Sequence, residues 1–207
     1  MALSLAAIPE HEEMVSHILA AYENATKEEL AEGIAWYDEA QVLAANIAAG
    51  TDYTTSQIAA VIAVISPRLA WSKNTVYPAF IVDYHARGFR AVEEWRAGDK
   101  GMSVTHQRRR AAVAILDGDD PFKHLGIKTG NFFLNIMGDP DAVTVDSWAT
   151  KVALGNPYVE ENPGDAAYRK ISDAYQDAAK RAGLSARAMQ AATWVHYRNA
   201  YGDGKAR

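Results

Sequence analysis

Cysteine is absent from the 207-residue chain. That excludes disulfide staples, thiolate zinc sites and cysteine-held iron–sulfur clusters, and it fits a protein kept in a reducing cytoplasm. Long apolar runs are also missing: no window approaches the ~18 consecutive apolar residues of a membrane span. Positive charge is in deficit, with 21 Lys and Arg against 26 Asp and Glu, a net charge of −5 and a pI of about 5.7. Bulk charge therefore excludes a protein that coats nucleic acid, although a local basic face is compatible with it. The opening MALSLAAIPEHEEM has no basic segment, and Pro9 and charged residues break its apolar run, so no signal peptide is expected. A cytoplasmic protein without membrane association follows as the expectation.

Hydrophobic residues make up 49% of the chain and charged residues 23%, enough to bury a core in one domain spanning residues 1–207. Helical periodicity dominates. Met14, Ile18 and Tyr22 recur at every fourth position. Thr26 followed by Glu29 is an N-cap pattern leading into a helix through Ile34 and Trp36 that continues or restarts towards Gly50. Residues 54–65 predict a third helix capped by Thr54 or Thr55, because its alanines and cap outweigh its β-branched residues. Trp71 to His85 reads as one amphipathic stretch, and Gly98, Gly101 and Gly118 punctuate the middle of the chain around a basic helix, THQRRRAAVAIL. A helix from Asp146 to Gly155, a polar loop and two further helices close the pattern, with the GDGKAR tail expected to fray. Trp36, Tyr37, Trp194 and Tyr197 are expected in the core.

The segment from Phe122 to Trp148 carries the chemistry. His124 to Lys128 reads as a tight hairpin, followed by a helix over TGNFFLNIM whose free N-terminal amides suit a phosphate. A turn and an apolar extended link then deliver Asp146 to the head of the next helix, where it also serves as an N-cap. Arg108, Arg109 and Arg110, with His106 and Lys123 nearby, form a basic cluster open to two readings, a solvated helix face or a phosphate-binding row. The acidic run Asp117, Asp119 and Asp120 lacks the regular spacing of a calcium loop.

Lys128, Thr129, Asn131, Leu134 and Asn135, then Val143, Val145 and Asp146, with 18 residues from Lys128 to Asp146, resemble the signature of the helix-hairpin-helix (HhH-GPD) DNA glycosylases of the endonuclease III type. The resemblance covers about a seventh of the chain. Upstream, Ile65-Ser66-Pro67-Arg68 stands where the family places a turn that fills the gap left by the displaced base, with Arg68 in place of a glutamine. Departures are His124 at the first hairpin glycine, leaving Gly126 alone, Ser147 and Trp148 after the aspartate, and no iron–sulfur loop. They resemble short, divergent phage members of the superfamily.

The resemblance implies an all-α, two-lobed helical bundle with its active site between the lobes. The hairpin and catalytic segment would span 121–155, and the N- and C-terminal helices would pack together as one lobe. It implies a DNA glycosylase, with or without an AP-lyase step, acting on a flipped-out damaged or modified base. Asp146 would stabilise the oxocarbenium-like sugar, and Lys128 would attack C1′ or contact a phosphate. Arg68, Gly126, Thr129, Asn131, Arg108, Arg109, Arg110 and Lys123 would bind double-stranded DNA, and Trp71, Asn74 and Trp148 would line the base pocket. A monomer without metal or cofactor is expected, in the host cytoplasm if phage-encoded. A base-hypermodification transferase on the same fold, an inactive DNA-binding module and a helical interaction protein with an accidental motif are the alternatives.

Overall fold

Among the described residues, 2–3, 8–89, 103–160 and 162–202, the computed structural model contains ten α-helices. Gly98, Gly101 and all but the first residue of the GDGKAR tail lie outside the described residues. The fold is all-α. One two-residue parallel pairing, β1 (Ala2–Leu3) with β2 (Asn162–Pro163), is the only sheet among the described residues. The chain divides into two compact units, one formed by residues up to Glu39 and from Gly138 onward, the other by Ala40–Met137.

The first unit is built from α1 (His11–Asn24), the first half of α2 (Lys27–Ala48), α8 (Ser147–Ala153), α9 (Asp165–Ala182) and α10 (Ala186–Tyr201). Thr26 and Glu29 form the reciprocal capping box at the start of α2, each side chain accepting the other's backbone N–H at 3.2 and 3.0 Å. α1 buries Met14, Val15 and Ile18 and packs against α8, α9 and α10. The buried stripe of α9, Ala167, Tyr168, Ile171, Ala174, Tyr175 and Ala178, follows the helical period, so its charged residues fall on the opposite face. At Gly33 the backbones of α2 and α10 nearly touch: a Cβ there would lie 2.4 Å from the Cα of Ala192. Only glycine permits that approach.

The second unit is organised around α3 (Thr55–Ile65), buried from Ile58 to Ile65 and apolar on every side there. Thr54 caps it in a box with Gln57, whose amide then donates to the carbonyls of Ile115 and Leu116, both at 3.2 Å. That second pair of bonds satisfies carbonyls at the end of α6 (His106–Leu116) and ties the two helices together. α3 packs on α6, on α7 (Ile127–Ile136) and on α5 (Tyr77–Ala86). The stretch expected as one helix from Trp71 to His85 is broken. α4 (Trp71–Asn74) ends at Thr75, and α5 begins at Tyr77 with Pro78 in its first turn. Proline has no N–H to continue a ladder and suits a helix start. No helix among the described residues is long and apolar enough to cross a membrane.

Candidate functional site

Residues 106–136 fold as a helix, a short turn and a second helix. α6 leads to a 3₁₀ turn at Pro121–Lys123, whose start is capped by Asp120, and then through His124, Leu125 and Gly126 into α7. The helix starts at Ile127, earlier than the expected TGNFFLNIM, because the Gly126 carbonyl already accepts from Gly130 N at 2.7 Å. Lys128 therefore stands exposed in the first turn of α7 rather than in a hairpin loop. No side chain among the described residues caps this helix, and a Cβ at Gly126 would meet none of their atoms within 4 Å. Thr129 returns its hydroxyl to the Gly126 carbonyl at 3.2 Å, and Asn131 donates to the Ile127 carbonyl at 2.9 Å.

Four of the expected DNA-binding cations lie in this unit's turn region, and one does not reach its surface. Arg68 is exposed with a φ of 62°, a left-handed conformation costing a non-glycine residue roughly 1–2 kcal/mol. Arg108, half-buried, donates Nη1 to the Pro67 carbonyl at 2.5 Å. Its pKa is held below the usual guanidinium range by burial and by the charge of Arg68. Arg110 and Lys123 are exposed. Arg109, however, is buried at 7% exposure and donates Nε to the Val104 carbonyl at 3.0 Å. The expected row of three surface arginines is thus a pair, with Arg109 turned inward as a structural residue.

Of the three residues expected around the base, Trp71 is half-buried and meets Phe132 of α7 edge-on at 6.5 Å. Asn74 is only 2% exposed, so it lines no open surface, and its Oδ1 has no hydrogen-bond partner among the described residues. Trp148 belongs to the first unit, where the Lys151 ammonium lies over its ring at 4.3 Å.

Asp146 also belongs to the first unit. It is the N-cap of α8, with Oδ1 accepting from Ala149 N at 2.8 Å, while its carbonyl accepts from the Thr150 hydroxyl at 2.8 Å. The preceding link, Ala142 to Val145, is irregular yet buried, with Asp146 N donating back to the Thr144 carbonyl at 3.0 Å, so its other peptide groups need partners. Tyr168 supplies them: its hydroxyl donates to the Val143 carbonyl at 2.7 Å and accepts from Val145 N at 3.1 Å. Two further buried phenols lie within electrostatic reach of the Asp146 carboxylate. Burial pushes the Tyr37 pKa far up, against the opposing hydrogen bond with Thr144 and with the help of Asp146. Burial does the same at Tyr175, opposed by Thr193 and again reinforced by Asp146. Tyr37 completes its bonding by donating to Gln190 at 2.6 Å. Tyr37 and Tyr175 thus stand near enough to the Asp146 carboxylate to feel its charge. The expectation that placed Tyr37 in the core fits its 3% exposure. The roles of Tyr168 and Tyr175 were missed, although their seven-residue spacing puts both on one helix face.

A second cluster, His11, Glu12 and Asp177, brings three ligand-type atoms within 4.8 Å of one another. Arg181 already pairs with both carboxylates, at 2.8 and 2.7 Å, which makes the group an ion-pair network.

A family model described as "Family of unknown function (DUF7178)" matches residues 3–201. The chain belongs to this family. Among characterised proteins, this DUF7178 chain is similar to the serine/threonine-protein kinase UL13 homolog of Gallid herpesvirus 2 (strain Chicken/Md5/ATCC VR-987). The two are 36% identical over 92 residues, 40% of this chain and 17% of that protein. The chain thus spans about a sixth of that relative's length. The DUF7178 sequence holds neither a His-Arg-Asp nor an Asp-Phe-Gly run, the segments that carry the base and a magnesium ligand in protein kinases. No solved structure matches the chain.

Proposed function

We propose that this DUF7178 protein is a DNA glycosylase-like enzyme acting on a flipped-out damaged or modified base, on a fold of the two-lobed helix-hairpin-helix glycosylase type. The observation that carries the reading is the Lys128–Asp146 segment. Its residues match the glycosylase signature in order and interval, and Asp146 stands at the head of a helix after a buried, tyrosine-braced link. The uncapped first turn of α7 supports the same reading, since free amides and the helix dipole favour a phosphate there.

In this reading the duplex backbone rests on the α7 amides beside Gly126 and on Arg68, and the target nucleotide leaves the stack. Trp71 offers a ring face to the displaced base. The glycosidic bond then breaks, with its electron pair leaving on the base, which takes up a proton. Asp146 stabilises the positive charge growing on the sugar. Water completes the reaction by bonding to C1′ and losing a proton. Where the Lys128 amine attacks instead, the product is a Schiff base, and elimination of the 3′ phosphate cleaves the strand. The protein would act in the cytoplasm, that of the host if it is phage-encoded.

His124 at a hairpin glycine position, with Ser147 and Trp148 after the aspartate, favours a second reading, transfer of a group onto an already modified base. Mass spectrometry of DNA incubated with the full chain separates the two. A lost base supports the glycosylase and a heavier base the transferase, whereas DNA unchanged in mass overturns both. Borohydride trapping of a covalent adduct with the wild type, absent with Lys128→Ala, establishes the lyase step.

A further inference from the structure

The second unit carries a groove, open to solvent, of about 600 Å³ between α3, α6 and the turn that enters α7. Three cations, Arg108, Arg110 and Lys123, line it between Pro67 on one side and Thr129 on the other, together with His124, whose Nε2 lies 3.1 Å from the Asp119 carboxylate. Such a gathering of cations is unexpected in a chain of net charge −5. Val64 and Ala111 give the same groove an apolar side.

Arg108 is fixed in place by its bond to the Pro67 carbonyl, and the guanidinium of Arg68 adds repulsion from the next residue along the chain. Neither arginine has a carboxylate partner among the described residues. Like charges held together without a counter-charge carry a cost that a bound anion relieves. The volume falls within the range of small-molecule sites, about 300–1,000 Å³, and exceeds the needs of one phosphate group.

We propose that this groove binds a discrete phosphorylated small molecule of nucleoside-phosphate size, its phosphates on Arg108, Arg110 and Lys123 and its apolar part on Val64 and Ala111. The inference goes beyond the proposed function, in which the duplex meets α7 and Arg68. It assigns to a free ligand three side chains that the sequence pattern offered to the DNA backbone. The apolar side of the groove at Val64 and Ala111 favours a ligand that carries a ring beside its phosphates over a backbone phosphate alone. A nucleotide co-substrate or effector has the required combination of charge and ring.

The test is calorimetric titration of the full chain with ADP, adenosine and inorganic phosphate. ADP binds saturably and about tenfold or more tighter than phosphate, and adenosine binds at least as much more weakly than ADP. Lys123→Glu and Arg110→Glu each weaken ADP about tenfold or more, with unchanged thermal melting confirming the fold. Absence of saturable ADP binding overturns the proposal, as does ADP affinity unaltered in both variants. A hydroxyl-ended duplex that displaces ADP and loses affinity equally in both variants also overturns it, by making the groove a backbone site. Asp146→Asn keeps wild-type ADP affinity, so failure of the glycosylase reading, scored by base release, is registered separately.

Discussion

Replacing Gly33 by alanine sets two physical effects against each other on one residue. In an exposed helix the change gains about 1 kcal/mol, because glycine loses more backbone freedom on folding than alanine. Gly33, however, faces α10, and the added Cβ would lie 2.4 Å from Ala192 Cα, 2.6 Å from its N and 2.8 Å from Ala191 C. Carbon atoms at rest sit about 3.5–4.0 Å apart, so the helices must separate by roughly an ångström. All three obstacles are backbone, and none can rotate away. Overpacking of this kind costs typically 1–3 kcal/mol and occasionally more, which exceeds the gain in propensity. One turn along the same helix pair, separation would also stretch the Tyr37–Gln190 bond of 2.6 Å and the Arg187–Asp38 pair of 2.7 Å. Urea denaturation followed by circular dichroism should place Gly33→Ala below the wild type by about 1–3 kcal/mol. Equal or greater stability in Gly33→Ala would refute the close approach of α2 and α10.

Substitutions at three other positions test separate features of the structure. Asp146→Ala removes the cap of α8 and should cost about 1 kcal/mol in a thermal melt, whereas Asp146→Asn, an equally good cap, should melt near the wild type. Equal losses in both variants would mean that the carboxylate's charge, and not the cap, holds α8. Arg68→Gly relieves a left-handed backbone and should leave stability unchanged or raised by up to about 1 kcal/mol, while weakening duplex binding in a filter assay. Unaltered duplex affinity would remove Arg68 from the interface. At Glu29, burial raises the pKa, but hydrogen bonds from His196, the Thr26 N–H and Asn199 outweigh it and hold the carboxyl below its usual range. A depressed folded-state pKa stabilises above the unfolded value of about 4.3, and that stability is lost as pH falls through the folded value. Glu29→Gln should therefore melt below the wild type at neutral pH, with the gap closing in acid, and a gap independent of pH would contradict this.

Much of the helical framework is legible in the sequence because caps and periodicity agree. Thr26 with Glu29 and Thr54 with Gln57 mark helix starts at the positions the structure gives. α3 shows why the cap matters: its β-branched residues are compatible with a buried strand, and the box at Thr54 decides for helix. The turn at Thr75 and Val76 left weaker marks, so 71–85 reads as continuous until Pro78 is given its role as a helix start. Arg109 carries a geometric lesson. Three consecutive helical residues span about 200° of the helix circumference, so Arg108, Arg109 and Arg110 cannot share one face. The least legible feature is the buried link before Asp146. Its satisfaction depends on a tyrosine 23 residues after Val145, and no local pattern in 142–145 announces a partner that distant. The resemblance to the glycosylase signature makes Asp146 a candidate, whereas the nearness of Tyr37 and Tyr175 and the bracing of its link by Tyr168 come from tertiary packing.

The central claim is that the Asp146 carboxylate drives loss of a base from DNA. Its most direct measurement is free base released from duplexes carrying oxidised, deaminated or alkylated bases, by the full chain and by Asp146→Asn. The account predicts release from at least one duplex by the wild type, and a loss of about 10²-fold or more in Asp146→Asn at unchanged melting temperature. No release from any duplex, or release undiminished in Asp146→Asn, would contradict it.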